Sequence, residues 1–151
     1  MKRKKGAILS ISEDRTIAIT SYNRAKVLLK TQRSFTEDQE LLQAAITSRR
    51  HWLLVGGEKE LAIADWLMSR VYVQLSQPVL AVEFAIAGLA HNQIDFPAWL
   101  KASLCEGAAR AYKSTGNYAE LERYKVLAHA ELATESDLKD LEIIANQIGE
   151  L

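Results

Sequence analysis

The feature that most constrains the fold of this chain is an internal repeat with an offset of 40 positions, the separation of residues 70 and 110. The segment 70–72, Arg-Val-Tyr, aligns with the segment 110–112, Arg-Ala-Tyr. Further matches pair aromatic with aromatic and small with small residues: Ser76 with Gly116, Phe84 with Tyr124, Gly88 with Ala128, and Ala90 with Ala130. Repeats of this length are typical of helix pairs that bury their apolar faces only against neighbouring pairs. The sequence therefore predicts stacked helix hairpins with a continuous core.

Proline, glycine and capping residues divide the chain into segments of helical length. Gly56 and Gly57 are suited to end a helix, and Pro78 is suited to begin one. The pairs Ser34–Glu37 and Thr36–Gln39 each have the spacing of a capping box. Seven helices are predicted: one from about Glu13, one from Ser34 or Thr36 to about Val55, and others over 58–76, 78–90, 98–113, 118–130 and 136–148.

The segment 7–20 is the one place where a strand pattern competes with a helix. Residues 8–10 and 16–20 partly alternate between apolar and polar side chains, as in a β-hairpin. Four residues nevertheless fall at helical spacing: Ala18, Tyr22, Ala25 and Leu29. Since an isolated two-stranded hairpin is marginally stable in water, we predict a helix here and keep the hairpin as the alternative.

The balance of charge argues against a general attraction to polyanions. The 19 Lys and Arg residues match the 19 Asp and Glu residues, so no global field draws the chain to nucleic acid or to an anionic membrane. The apolar stretch 78–90 is shorter than the ~20 residues that cross a bilayer. The basic residues 1–5 precede too short an apolar segment for a signal peptide. We expect a cytoplasmic protein without specific nucleic-acid or membrane binding, with residues 1–12 frayed.

No local pattern of catalytic, metal-binding or phosphate-binding residues stands out. Cys105 is the single cysteine and lies in an apolar helical pattern, which favours a buried thiol. The three histidines, His51, His91 and His129, have no further ligand at a spacing typical of a metal motif. Gly56-Gly57 lacks the Lys-Ser/Thr of a phosphate-binding loop. We therefore expect no enzymatic activity, no metal and no cofactor.

The segment 108–118, Ala-Ala-Arg-Ala-Tyr-Lys-Ser-Thr-Gly-Asn-Tyr, resembles the tetratricopeptide repeat. The first helix of that repeat ends in an Ala-Tyr pair before a Gly-Asp/Asn-Tyr turn. Ala128 and Gly88 stand where the family has a small residue that allows close packing of the second helix. The resemblance covers about residues 61–131 in two copies, with a spacing of 40 in place of the family's ~34.

The resemblance implies an all-α fold in which antiparallel helix hairpins stack as a short tetratricopeptide-like α-solenoid. The chain departs from the family pattern at Trp66, where the early Trp is displaced, and at Leu121, where the family has Ala. A generic antiparallel helix bundle is the structural alternative. The predicted organisation is a single domain over 1–151, with a degenerate helix pair at 13–55, repeat hairpins at 58–90 and 98–131, and a capping helix at 135–150.

The repeated arginines indicate a binding face. Two residues of an α-helix rotate by about 200°, so an inward Tyr in each repeat places Arg70 or Arg110 on the outward side. In the family this side lines a concave groove that holds a peptide, which implies a non-enzymatic protein- or peptide-binding scaffold or adapter. The candidate groove residues are Trp66, Arg70, Val73, Gln74, Glu106, Arg110, Lys113 and Ser114. Two arginines suit a carboxylate of an acidic partner; pairing with Asp65 and Glu106 is the alternative.

A second class of function is also consistent with the sequence. The chain could be a helical subunit that associates with itself or with an enzyme, with an apolar ligand site between its helices. About three stacked hairpins are usually needed for a stable array, and only two copies are recognisable here. Apolar surface left exposed by the outer helices would favour a homodimer.

Overall fold

The computed structural model describes residues 8–135 and 138–151, and within these ranges it contains seven α-helices and no β-strand. The helices are α1 (Ile11–Leu29), α2 (Phe35–Val55), α3 (Glu58–Gln74), α4 (Pro78–Leu89), α5 (Ala98–Thr115), α6 (Tyr118–Leu132) and α7 (Leu138–Gly149). The predicted all-α class and the seven predicted helices are confirmed for this part of the chain. The basic residues 1–5 and the predicted start of the last helix at residue 136 lie outside the described residues.

Two capping boxes fix the starts of the first two helices. Ser10 Oγ accepts a hydrogen bond from the Glu13 amide at 3.1 Å, and the Glu13 carboxylate accepts one from the Ser10 amide at 3.2 Å. The helix therefore begins at Ile11, and the hairpin alternative for this segment is wrong. Ser34 and Glu37 form the same reciprocal pair, which selects Ser34 over Thr36 as the cap of α2.

Consecutive helices form three hairpins, α1–α2, α3–α4 and α5–α6. The hairpins are joined by contacts of α2 with α3 and of α4 with α5, and α7 packs on α5 and α6. The odd-numbered helices also contact one another, α1 with α3, α3 with α5 and α5 with α7. Among residues 8–135 and 138–151, contacts join only helices that are at most two places apart in the chain. Each helix therefore buries its apolar side chains against helices that are one or two places away in the chain.

Stacked aromatic pairs join the two helices of the second and third hairpins. The rings of Tyr72 and Phe84 are 5.6 Å apart between centroids with an interplanar angle of 24°. The rings of Tyr112 and Tyr124 are 5.7 Å apart with an angle of 10°. The 40-residue shift aligns these two pairs in the sequence, and aromatic pairs of this kind stabilise packing beyond the area that they bury.

A buried acidic residue fastens the connector between α4 and α5 to the rest of the fold. Asp65 is almost fully buried and lies 2.6 Å from Arg49 Nε and 2.8 Å from His91 Nε2. His91 Nδ1 lies 2.7 Å from a carboxylate oxygen of Glu58. Arg49 on α2 and His91 in the connector are therefore both tied to α3 through the carboxylate of Asp65.

Cys105 is buried in the core between α5 and α6, as its sequence context predicts. Burial raises the pKa of its thiol to about 11, and the nearby Glu131 contributes in the same direction. The thiol is therefore protonated at neutral pH and shielded from reagents.

We predict that Cys105 in the folded protein reacts with iodoacetamide at pH 8 at least about a hundredfold more slowly than in the unfolded chain, since the thiolate is the reactive form. Mass spectrometry of the alkylated protein, with and without guanidinium chloride, measures both rates on the same single cysteine. Equal rates in the two conditions would contradict the buried placement.

Candidate functional site

The surface formed by α1, α3, α5 and α7, here called the odd-helix face, gathers cationic side chains from three helices. Lys26 lies on α1, Arg70 on α3, and Arg110 and Lys113 on α5. Burial lowers the pKa of Arg70, and the charge of Arg110 lowers it further. Burial also lowers the pKa of Lys26, with contributions from Lys30 and Arg70. Lowering of pKa values by like charges occurs at functional sites and also in structural charge networks.

Glu106 lies beneath the two arginines. Its side chain is 0% exposed, and Oε1 accepts hydrogen bonds from Arg110 Nε at 3.0 Å and from Arg110 Nη2. Burial raises the pKa of Glu106, while Arg110 and Arg70 lower it. Glu106, a candidate groove residue, is therefore buried and paired with Arg110, which is one of the pairings predicted above as the alternative to a free arginine.

Three buried polar atoms in this region have no hydrogen-bond partner among the described residues. They are Trp66 Nε1, Arg70 Nη1 and Glu106 Oε2. Leaving such an atom unpaired costs about 1 to 3 kcal/mol and is rare in folded proteins. The odd-helix face thus retains unused donors, the indole N–H of Trp66 and one guanidinium N of Arg70, next to its cations.

Trp66 connects the cationic cluster to the packing of α3 on α5. The guanidinium carbon of Arg70 lies 5.0 Å from the indole centroid, and Lys26 Nζ lies 5.9 Å from it. On the other side, a Cβ at Gly107 would lie 2.8 Å from Trp66 Cδ1. Glycine at this position therefore allows the indole to lie against α5. Gly107 was not among the predicted site residues, although a glycine inside a helix is a recognisable signal of close packing.

A cleft of about 220 Å³ lies beside this cluster, between α1, α3, α5 and α7. Its apolar lining includes Tyr22, Ile63, Trp66, Trp99, Ile143 and Ile144. Trp66 belongs to both the cleft and the cationic cluster, so a ligand could place an apolar group in the cleft and a carboxylate by the arginines. Apart from Trp66, none of these cleft residues was among the predicted site residues, because they come from four separate helices.

The end of α7 lies against the cationic cluster. Glu150 Oε2 is 3.9 Å from Arg110 Nη2, and Lys113 Nζ donates a hydrogen bond to the Leu151 carbonyl oxygen at 2.8 Å. Leu151 also packs against the apolar core. The cations of α5 are therefore already in contact with oxygen atoms of the same chain.

The remaining predicted groove residues do not join the cluster. Val73 is partly buried and packs against the apolar core. Gln74 accepts a hydrogen bond from Arg33 Nη2 at 3.2 Å, close to the turn between α1 and α2. Ser114 Oγ donates to the Ala111 carbonyl at 2.6 Å, within its own helix. All three residues lie about one helical turn after the arginines, and these contacts are with groups outside the cationic cluster.

The geometry defines an all-helical protein with a cationic and aromatic surface. Comparison of the chain with family models, curated proteins and solved structures found no match. Over the described ranges, no group of three or more His, Cys, Asp or Glu residues is arranged to hold a metal ion. None of the helices in the described part of the chain is long and apolar enough to cross a bilayer.

We predict that Gly107→Ala lowers the free energy of unfolding by about 1 kcal/mol, because the clash with Trp66 outweighs the gain in helix propensity. The indole must move, so the tryptophan fluorescence spectrum should also change. Gly149→Ala is the matched control, since a Cβ there meets nothing within 4 Å. Urea unfolding of both variants measures the difference, and equal stabilisation by the two substitutions would refute the close contact.

The raised pKa of Glu106 predicts how stability depends on pH. Above the ordinary Glu value of about 4.3 and up to the raised value, the folded state binds the proton more tightly than the unfolded chain. The free energy of unfolding therefore falls as the pH rises through this interval.

Because glutamine does not titrate, we expect the stability of the wild-type protein relative to Glu106→Gln to decrease as the pH rises from about 4. Chemical denaturation of both proteins across this interval measures the trend. Glu122→Gln, which changes an exposed residue of α6, is the control. A relative stability that increases with pH would show that the arginines outweigh the effect of burial.

Proposed function

We propose that this chain is a non-enzymatic binding module whose odd-helix face receives an acidic segment of a protein or peptide. The observation that carries the proposal is the convergence of Lys26, Arg70, Arg110 and Lys113 on one face, with Trp66 among them. Each hydrogen bond from such a cation to a ligand carboxylate contributes about 1.5 to 3 kcal/mol. An acidic segment with an adjacent apolar side chain fits both the cluster and the cleft.

We propose further that the helix hairpins form a short tetratricopeptide-like solenoid with the odd-helix face on its concave side. Neighbouring odd-numbered helices contact one another, whereas no such contacts join α2 with α4 or α4 with α6 in the described part of the chain. In a curved stack of hairpins, the helices of the inner layer lie closer together than those of the outer layer. The contacts between odd-numbered helices therefore support an inner position for them in the proposed solenoid. The aromatic pairs Tyr72–Phe84 and Tyr112–Tyr124, 40 positions apart, support equivalent hairpins.

A cytoplasmic location is part of the proposal. A single buried cysteine that is not engaged in a disulfide is consistent with a reducing compartment. The binding role rests on surface complementarity, so no catalytic residue is assigned.

We predict that a fluorescein-labelled hexaglutamate peptide binds the protein at low ionic strength, that a hexaglutamine peptide does not, and that added salt weakens the binding. Arg70→Gln and Lys113→Gln should each weaken binding about ten- to a hundredfold, the range of a lost charge-assisted contact. Fluorescence anisotropy measures the affinities.

Arg50→Gln is the control, because Arg50 is exposed on α2, away from the odd-helix face. Arg49 is unsuitable for this purpose, since it pairs with buried Asp65. Equal weakening by Arg50→Gln, or equal binding of hexaglutamine, would show that the attraction is not specific to the odd-helix face.

The second candidate is a self-associating or enzyme-accessory subunit with an apolar ligand between its helices. The apolar cleft supports the ligand site, and the exposed side chains of Val79 and Ile86 on α4 support association with a second copy. We predict a homodimer at micromolar concentration. Sedimentation equilibrium measures the mass, and only the 16.9 kDa species would remove self-association from the proposal.

A further inference from the structure

The end of α7 supplies to α5 the same chemical groups that an acidic peptide would supply. Glu150 places a carboxylate 3.9 Å from Arg110, and Leu151 places a carbonyl oxygen 2.8 Å from Lys113 Nζ. The charge of Glu150 also raises the pKa of Arg70, so its effect extends to both arginines. Residues 150–151 therefore lie where the carboxylates of a bound acidic segment would lie.

The Glu150 side chain is more exposed than the core-facing side chains of the helix that precedes it. Ile144 and Ile148 are buried in the core and anchor α7. The helix ends at Gly149, where a Cβ would meet no neighbour within 4 Å, and the Glu150 side chain is 69% exposed. The Glu150 side chain can thus turn away from Arg110 while Ile144 and Ile148 remain buried.

We propose that the Glu150 carboxylate is an intramolecular competitor of the acidic partner, lying beside Arg110 until the partner displaces it. This inference rests on the proposed function of the odd-helix face. Exposed ion pairs are weak, so the competition is modest and a partner with several carboxylates overcomes it. The carboxylate therefore lowers the affinity of the odd-helix face for acidic ligands by a small factor.

The first experiment uses the full chain without ligand. Hydrogen–deuterium exchange followed by mass spectrometry compares wild type, Glu150→Gln and Glu142→Gln. Glu142 is exposed on α7, about two turns before Glu150, which makes it a matched control for the loss of one charge. Faster exchange at the end of α7 is expected for Glu150→Gln alone; unchanged exchange would show that the Arg110 contact does not hold this segment.

The second experiment measures binding of the labelled hexaglutamate peptide to the same three proteins. Glu150→Gln should bind about two- to fivefold more tightly than wild type, the range expected for an exposed ion pair, and Glu142→Gln should bind at most slightly more tightly. Equal affinities of the wild type and both variants would overturn the competitor and leave the proposed function intact. Absence of hexaglutamate binding by all three proteins would overturn both proposals.

Discussion

The packing of Trp66 against Gly107 is the contact on which the odd-helix face depends. A residue with a Cβ at position 107 would meet the indole at 2.8 Å, so the glycine allows α3 and α5 to approach. This approach places Arg70 beside Arg110, puts both over Glu106, and leaves the indole as one wall of the cleft. Cation clustering, carboxylate burial and the apolar cleft are therefore consequences of one helix contact.

Two interactions in the cationic cluster are unfavourable to folding. Arginines on adjacent helices repel each other, and a buried carboxylate loses its hydration. The carboxylate of Glu106 reduces the repulsion between the arginines, but it loses its own hydration. Burial has a larger effect on the pKa of Glu106 than the arginines have. The donors left unpaired at Trp66 and Arg70 show that the intramolecular arrangement does not use all the hydrogen-bonding capacity that it buries.

Local sequence signals predicted the elements well because helix caps and periodicity act within a few residues. Ser34 with Glu37 begins α2, and Gly116, with a φ of 78°, ends α5 in the left-handed conformation that glycine favours. The repeat also predicted that Arg70 and Arg110 share a face. The burial of Glu106 and the hydrogen bond between Gln74 and Arg33 were not predictable. Helix periodicity gives the direction of a side chain around its own helix axis, but it does not give the position of the neighbouring helix.

The direction of the odd-numbered helices has an electrostatic consequence. Lys26 and Lys113 lie in the last turns of α1 and α5, where unpaired backbone carbonyls give a helix end partial negative charge. Each helix end can offset part of the repulsion between cations, by roughly 0.3 to 1 kcal/mol per charge. α3, which lies between them, has no basic residue in its last turn, so Arg70 does not gain from its own helix end and depends on the carboxylates of Glu106 and Glu150.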